Sequence, residues 1–138
     1  MGLFKTFEVA GSALSAQSLR LNLTASNLAN MNNVAGSPDD VYRARHAVFH
    51  AAEPTFADRL TAAGVRVLGV VESAAPALER FDPGHPQADE NGLVYAANVS
   101  TVEEMANMLS ASRSYQSNLE VINTAKQLLL RTLSMGRG

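Results

Sequence analysis

Phe7, Leu14, Leu21 and Leu28 recur at intervals of seven residues near the start of the chain. Ala10, Ala25 and Met31 fall at the offsets of three or four that complete a heptad stripe, the pattern a helix presents to a partner helix. No proline interrupts it, so the spacing predicts a helix over residues 3–31, ended by Asn32, Asn33, Gly36 and Pro38. A second stripe lies near the other end, where Met108, Tyr115, Ile122 and Leu129 are again seven apart. Leu119 and Leu133 are read as its complementary positions, with Ser112 and Lys126 as weaker members. Ser100 with Glu103, and Thr101 with Glu104, form overlapping capping-box candidates. They predict a helix over residues 100–135, with Arg131 suited to the last turn and Gly136 to the stop.

Between the two stripes the periodicity changes. Val65, Val67, Val70 and Val71 around Leu68 make a β-branched segment that reads as a strand. Tyr42 to Phe49 alternates loosely, and Leu78 to Phe81 is a short strand candidate. Asp82-Pro83-Gly84 reads as a turn in which proline presets φ and Gly84 supplies a positive φ. Asn91-Gly92 is another turn, leading into a strand over Leu93 to Ala97. Residues 52–64 match neither period and read as a loop.

The expected fold is therefore α+β: long N- and C-terminal helices paired antiparallel as a coiled-coil-like unit, with a small β-rich insert at one tip. The expected segments are 1–36, 37–99 and 100–138. Each helix has only a narrow apolar seam, and pairing the chain ends is the economical way to cover both. Composition sharpens this picture. Apolar residues make up 46% of the chain but aromatics only 6%, with no Trp, which favours thin helix–helix seams over a thick core. From Leu3 to Asn33 the only charged residues are Lys5, Glu8 and Arg20. The remaining polar face is Ser, Thr, Gln and Asn, including Asn22, Asn27 and Asn30. Small uncharged groups allow close approach of another helix, so these faces are expected to pack against neighbouring subunits. An ordinary charge-poor helical hairpin, acting as a soluble binding module, shares the same pattern. It would stay small and cytosolic, where a polymer subunit would join a larger structure.

Charge and cysteine content narrow the function classes. The net charge of −2 offers no basic patch for a nucleic acid or an anionic membrane. With no cysteine there are no disulfides or thiolate metal sites. No apolar run is long enough to span a bilayer, and direct membrane insertion is not expected. Met1 to Lys5 shows no long apolar signal region and no A-x-A cleavage site, so no cleaved signal peptide is expected. His46 and His50 are four apart, but in an extended segment that places them ~13 Å apart, too far to share an ion. Asp82, Asp89 and Glu90 lie around turns, where acidic residues serve the backbone. No nucleophile with a base, no phosphate loop and no dinucleotide motif is present. Neither an enzyme nor a cofactor is expected.

The segment Leu14-Ser15-Ala16-Gln17-Ser18-Leu19-Arg20-Leu21-Asn22, followed by Ala25-Ser26-Asn27-Leu28-Ala29-Asn30, resembles the N-terminal signature of the flagellar axial proteins of the rod and hook. Asp82-Pro83-Gly84-His85-Pro86 resembles a turn of the proximal-rod branch of that group. So do Asn98-Val99, Val102-Glu103-Glu104-Met105, Asn107-Met108, Ser110 to Gln116, Asn118 and Asn123 to Lys126. Val34 to Asp40 departs from the pattern, being poorer in glycine and carrying Asp39-Asp40. The resemblance implies a structural subunit of a helical rod that crosses the periplasm and transmits motor torque. It implies export by the flagellar type III apparatus. The implied partners are copies of itself, other rod proteins and the junction protein linking the rod to the export gate and MS ring. The residues expected at the assembly interface are Phe7, Leu14, Leu21, Asn27, Leu28, Asn30, Met105, Met108, Tyr115, Leu119, Ile122 and Leu129.

Overall fold

The computed structural model describes residues 2–52 and 64–136. In chain order its elements are α1 (Leu3–Ala29), β1 (Val34–Ala35), β2 (Arg45–Ala51), β3 (Val65–Glu72), β4 (Leu78–Phe81), β5 (Leu93–Ala96) and α2 (Thr101–Met135). The loop expected over 52–64 falls almost entirely outside the described residues.

Both helices form where the seven-residue spacing placed them. α1 stops two residues short of expectation, where the regular pattern gives way after Asn30. The Asn30 N–H still makes the i→i+4 bond to the Ser26 carbonyl at 3.1 Å, with its Nδ2 on the same oxygen at 2.8 Å. The Met31 N–H, however, falls to the Leu28 carbonyl at 3.4 Å, the tighter step of a helix end. α2 begins with Ser100, whose Oγ accepts from the Glu103 N–H at 3.4 Å. This selects the first of the two capping candidates. The helices pack antiparallel. Thr101, at the start of α2, donates to Met31 Sδ just past the end of α1 at 3.2 Å. Arg20, further back along α1, reaches Asn107, further along α2, at 3.0 Å. α2 has 35 residues against 27 in α1, so at ~1.5 Å per residue it is longer by ~12 Å.

The seam between the helices differs from expectation on one side. Met108, Tyr115, Ile122 and Leu129 are half-buried, as the heptad predicts. Their complements are Glu104, Ala111, Asn118 and Ala125, not Ser112, Leu119, Lys126 and Leu133. Leu119 and Leu133 are exposed, and on α1 Ala25 is exposed as well. Pattern reading sought large apolar side chains. A close seam selects small ones, and Ala10, Ala111 and Ala125 are all buried. Glu104 is buried too, with Oε2 unpartnered, in the first turn of α2 where the helix dipole favours a carboxylate.

The insert holds two small sheets. β1, β5 and β4 form one, in that order, with both pairs antiparallel. Val94 of β5 is fully buried. Ala35, Val41 and Ala97 form a cluster flanked by Tyr42, Ala77 and Val99. β2 and β3 form an antiparallel ribbon. Val48 pairs with Gly69 and Phe49 with Val67, so Leu68 is the extra residue of a bulge. The expected strand from Tyr42 starts only at Arg45, because the Tyr42 N–H goes to Asn33 Oδ1 at 3.1 Å and Val41 and Ala44 turn into the core. Both turns are present. The first is closed by the His85 N–H on the Asp82 carbonyl at 3.1 Å and needs no positive φ. The left-handed glycine is Gly92, at φ +75, and not Gly84. It closes onto the Asp89 carbonyl at 3.0 Å, while Asp89 Oδ1 accepts from the Asn91 and Leu93 N–H groups.

Candidate assembly surface and helix–insert junction

A two-stranded ribbon is marginal alone, and α1 supports this one at both ends. Antiparallel strands turn alternate backbone groups outward. At one end the outward groups of Arg45 meet Asn27, which is fully buried. Asn27 Oδ1 accepts the Arg45 N–H at 2.9 Å, and Nδ2 donates to the Arg45 carbonyl at 3.0 Å. The side-chain amide thus substitutes for a neighbouring strand. Tyr42 OH donates to the same Oδ1 at 2.8 Å and lies 3.2 Å from Ser26 Oγ. At the other end Ser12 Oγ accepts the Val65 N–H at 3.0 Å while donating to the Val9 carbonyl at 2.8 Å. A Cβ on Gly64 would sit 2.8 Å from that oxygen, so the close approach depends on glycine. Asn27 was read from the sequence as a polar face residue; its partners Arg45 and Tyr42, and the whole Ser12 contact, were not.

The second feature is on α2. Val102, Met105, Leu109, Leu119, Leu130 and Leu133 are all exposed. With Ser112, Gln116, Asn123 and Lys126 they keep alternate spacings of three and four along the whole helix. That is a second stripe, rotated by roughly a quarter turn from the seam with α1. Met105 is 60% and Leu119 43% exposed. Of the other residues expected at an interface, Phe7, Leu14, Leu21 and Leu28 on α1, Asn30 at its C-terminal cap, and Met108, Tyr115, Ile122 and Leu129 on α2 are half-buried.

Residues 7–36 match the family model described as flagella basal body rod protein, and residues 90–135 match that of the flagellar basal body rod FlgEFG protein C-terminal. The whole chain is similar to the flagellar basal-body rod protein FlgC of Salmonella typhimurium, at 50% identity over 138 residues covering 99% of this chain and 100% of that one. The same protein of Escherichia coli is 48% identical over 137 residues, with 99% and 100% covered. That of Borreliella burgdorferi is 33% identical over 152 residues and is covered in full, as is this chain. The chain belongs to the FlgC family of flagellar basal-body rod proteins. It is a structural subunit of the basal-body rod.

In this FlgC-family chain the two matched segments are α1 with β1, and β5 with α2. They are the elements that build the helical pair and the β1–β5 pair of the three-stranded sheet. The ribbon and β4 lie between them and align only with the full-length FlgC relatives. The candidate chemistry of the insert is absorbed by its backbone. His85 Nδ1 accepts the Gln87 N–H at 3.1 Å, and Asp89 holds the turn before β5. His46 and His50 are both on β2, exposed. Among the described residues no group of acidic and histidine side chains is placed to hold a metal ion, and no helix is long and apolar enough to cross a membrane.

Proposed function

We propose that the chain assembles helically in the proximal rod by packing the outer stripe of α2, together with the charge-poor face of α1, against neighbouring subunits, and that this packed layer transmits motor torque. The observation that supports this is that exposed Val102, Met105, Leu109, Leu119, Leu130 and Leu133 share one three-and-four register of α2, its gaps filled by polar Ser112, Gln116, Asn123 and Lys126. Completing the burial of such side chains is worth about 1 kcal/mol each when roughly half of each is already covered. The half-buried seam residues would bind within the chain on one flank and to a neighbour on the other, as in a multi-stranded coiled coil. The segments 1–36 and 100–138 would then act as the axial unit and 37–99 as the outer insert. Its neighbours would be copies of itself, other rod proteins and, at the base, the junction protein toward the MS ring and export gate. Delivery would be through the flagellar type III apparatus.

The test is Met105→Asp and Leu119→Asp in cells that swim with this chain. Both side chains are exposed, so the purified variants should unfold at the same urea concentration as the wild type. Incorporation into isolated basal bodies, read by immunoblot, should be lost together with swimming. Normal incorporation of both variants would refute the assignment of the stripe.

A further inference from the structure

We propose that the cleft where α1, α2 and β2 meet receives an aspartate or glutamate side chain of a neighbouring rod subunit, with Arg20 as the anchoring cation. This rests on the reading that the helical pair is packed among other subunits, and it names a polar contact within that layer.

Arg20 is out of keeping with its helix. It is the only charged residue of α1 beyond Glu8, and it is half-buried on a face otherwise made of small neutral groups. A guanidinium enclosed at an interface costs several kcal/mol unless an anion meets it. Three arginines of the insert meet one within the chain, and Arg66 of β3, which has no carboxylate within 4.0 Å among the described residues, is exposed to solvent. Arg45 lies 3.1 Å from Glu72, Arg80 3.6 Å from Asp82 and Arg43 4.0 Å from Asp39. Among the described residues no carboxylate comes within 4.0 Å of Arg20. Its one polar contact is to Asn107 Oδ1 at 3.0 Å. A neutral amide fixes the direction of the head group without cancelling its charge, and the remaining N–H donors are left to a second acceptor. Glu104 lies one turn before Asn107 on the same helix, but it is enclosed in the seam and makes no ion pair with Arg20.

The cleft has a volume of about 300 Å³. Leu23 and Phe49 supply its apolar side, Arg20 and Arg45 its cationic side, and no carboxylate lines it. An apolar wall beside a forked cation suits a side chain with a methylene stem and a carboxylate end, which a guanidinium binds with two parallel hydrogen bonds.

Arg20→Glu, Arg20→Gln and Arg20→Lys are compared in swimming cells. Circular dichroism and urea melts of the purified chains report whether each folds. Folded Arg20→Glu should reduce completed basal bodies at least tenfold. Arg20→Gln should reduce them less, and Arg20→Lys should restore part of the loss. Swimming suppressors of Arg20→Glu should replace an acidic residue of a neighbouring subunit by a neutral or basic one. Wild-type assembly by folded Arg20→Glu overturns the proposal, as do suppressors confined to the surroundings of Asn107 in this chain. Should Arg20→Glu not fold, Arg20→Gln decides: wild-type assembly by that variant overturns the proposal. Loss of assembly in Leu119→Asp alongside normal assembly in Arg20→Glu removes the cleft contact and leaves the stripe standing. Normal assembly in Arg20→Glu, Leu119→Asp and Met105→Asp removes the stripe as well.

Discussion

Removing the Asn27 amide should detach one end of the ribbon from α1. In Asn27→Ala, three hydrogen bonds of 2.8, 2.9 and 3.0 Å disappear. Tyr42 OH keeps a second partner in Ser26, but the Arg45 N–H and carbonyl keep none among the described residues outside the strand ladder. Arg45 is exposed, so water can reach the freed groups and the lower end of the range applies. At about 1 kcal/mol net for each bond, the loss is about 3 kcal/mol. For a chain whose total stability is on the order of 5–15 kcal/mol, that shifts the unfolding equilibrium by roughly two powers of ten. Asn27→Asp is the informative companion. It keeps the acceptor for Arg45 N–H and Tyr42 OH, but it sets a carboxylate oxygen against the Arg45 carbonyl in place of the donor. Asn27→Asp should therefore be destabilised at least as much as Asn27→Ala, despite its shape. Urea melts followed by circular dichroism give the magnitude, and amide exchange at Arg45 locates it. A midpoint for Asn27→Ala that corresponds to a loss under about 0.5 kcal/mol, or unchanged Arg45 exchange, would refute the reasoning.

Ala111 has no exposed surface in the α1–α2 seam, so Ala111→Leu should force the helices apart and cost at least about 1–3 kcal/mol in the same melts. Serine at that position should be nearly neutral by comparison. Gly92 has φ +75, and a Cβ there would lie 3.0 Å from Pro83 and 3.1 Å from Phe81. Gly92→Ala should cost about 1–2 kcal/mol from the left-handed backbone alone and more from contact. Faster amide exchange at Leu93 and Asp82 should accompany it, since both donate across this turn.

What the sequence made legible follows from which forces are local. The bounds of α1 and α2 were readable to within two residues because seven-residue spacing and an N-cap at Ser100 are properties of short segments. β3 and β4 were readable from β-branched content and the adjacent turns. β1, only Val34 and Ala35, was not, because it exists by pairing with β5 some sixty residues later. The inner positions of α2 were placed one residue late. Leu119 offered a larger side chain than Asn118, and the seam took the smaller. Gly84 was given the left-handed role that the Asp89 turn assigns to Gly92, a choice set by which carbonyl each amide must reach. The junction at Asn27 was invisible for a related reason. An asparagine on a helix face looks the same in sequence whether it meets solvent, a sister chain or the edge of its own β2. The displaced seam also exposed the second stripe. Once Leu119 and Leu133 leave the first stripe, they join Val102, Met105, Leu109 and Leu130 in another.

An electron-microscopy map of the assembled basal body, with this chain traced, decides most directly whether that second stripe is an assembly surface. Met105, Leu109 and Leu119 should lie within van der Waals contact of another subunit, with the α1–α2 pairing and the Asn27–Arg45 contact intact. A rod in which those side chains face open solvent would contradict the proposed packing.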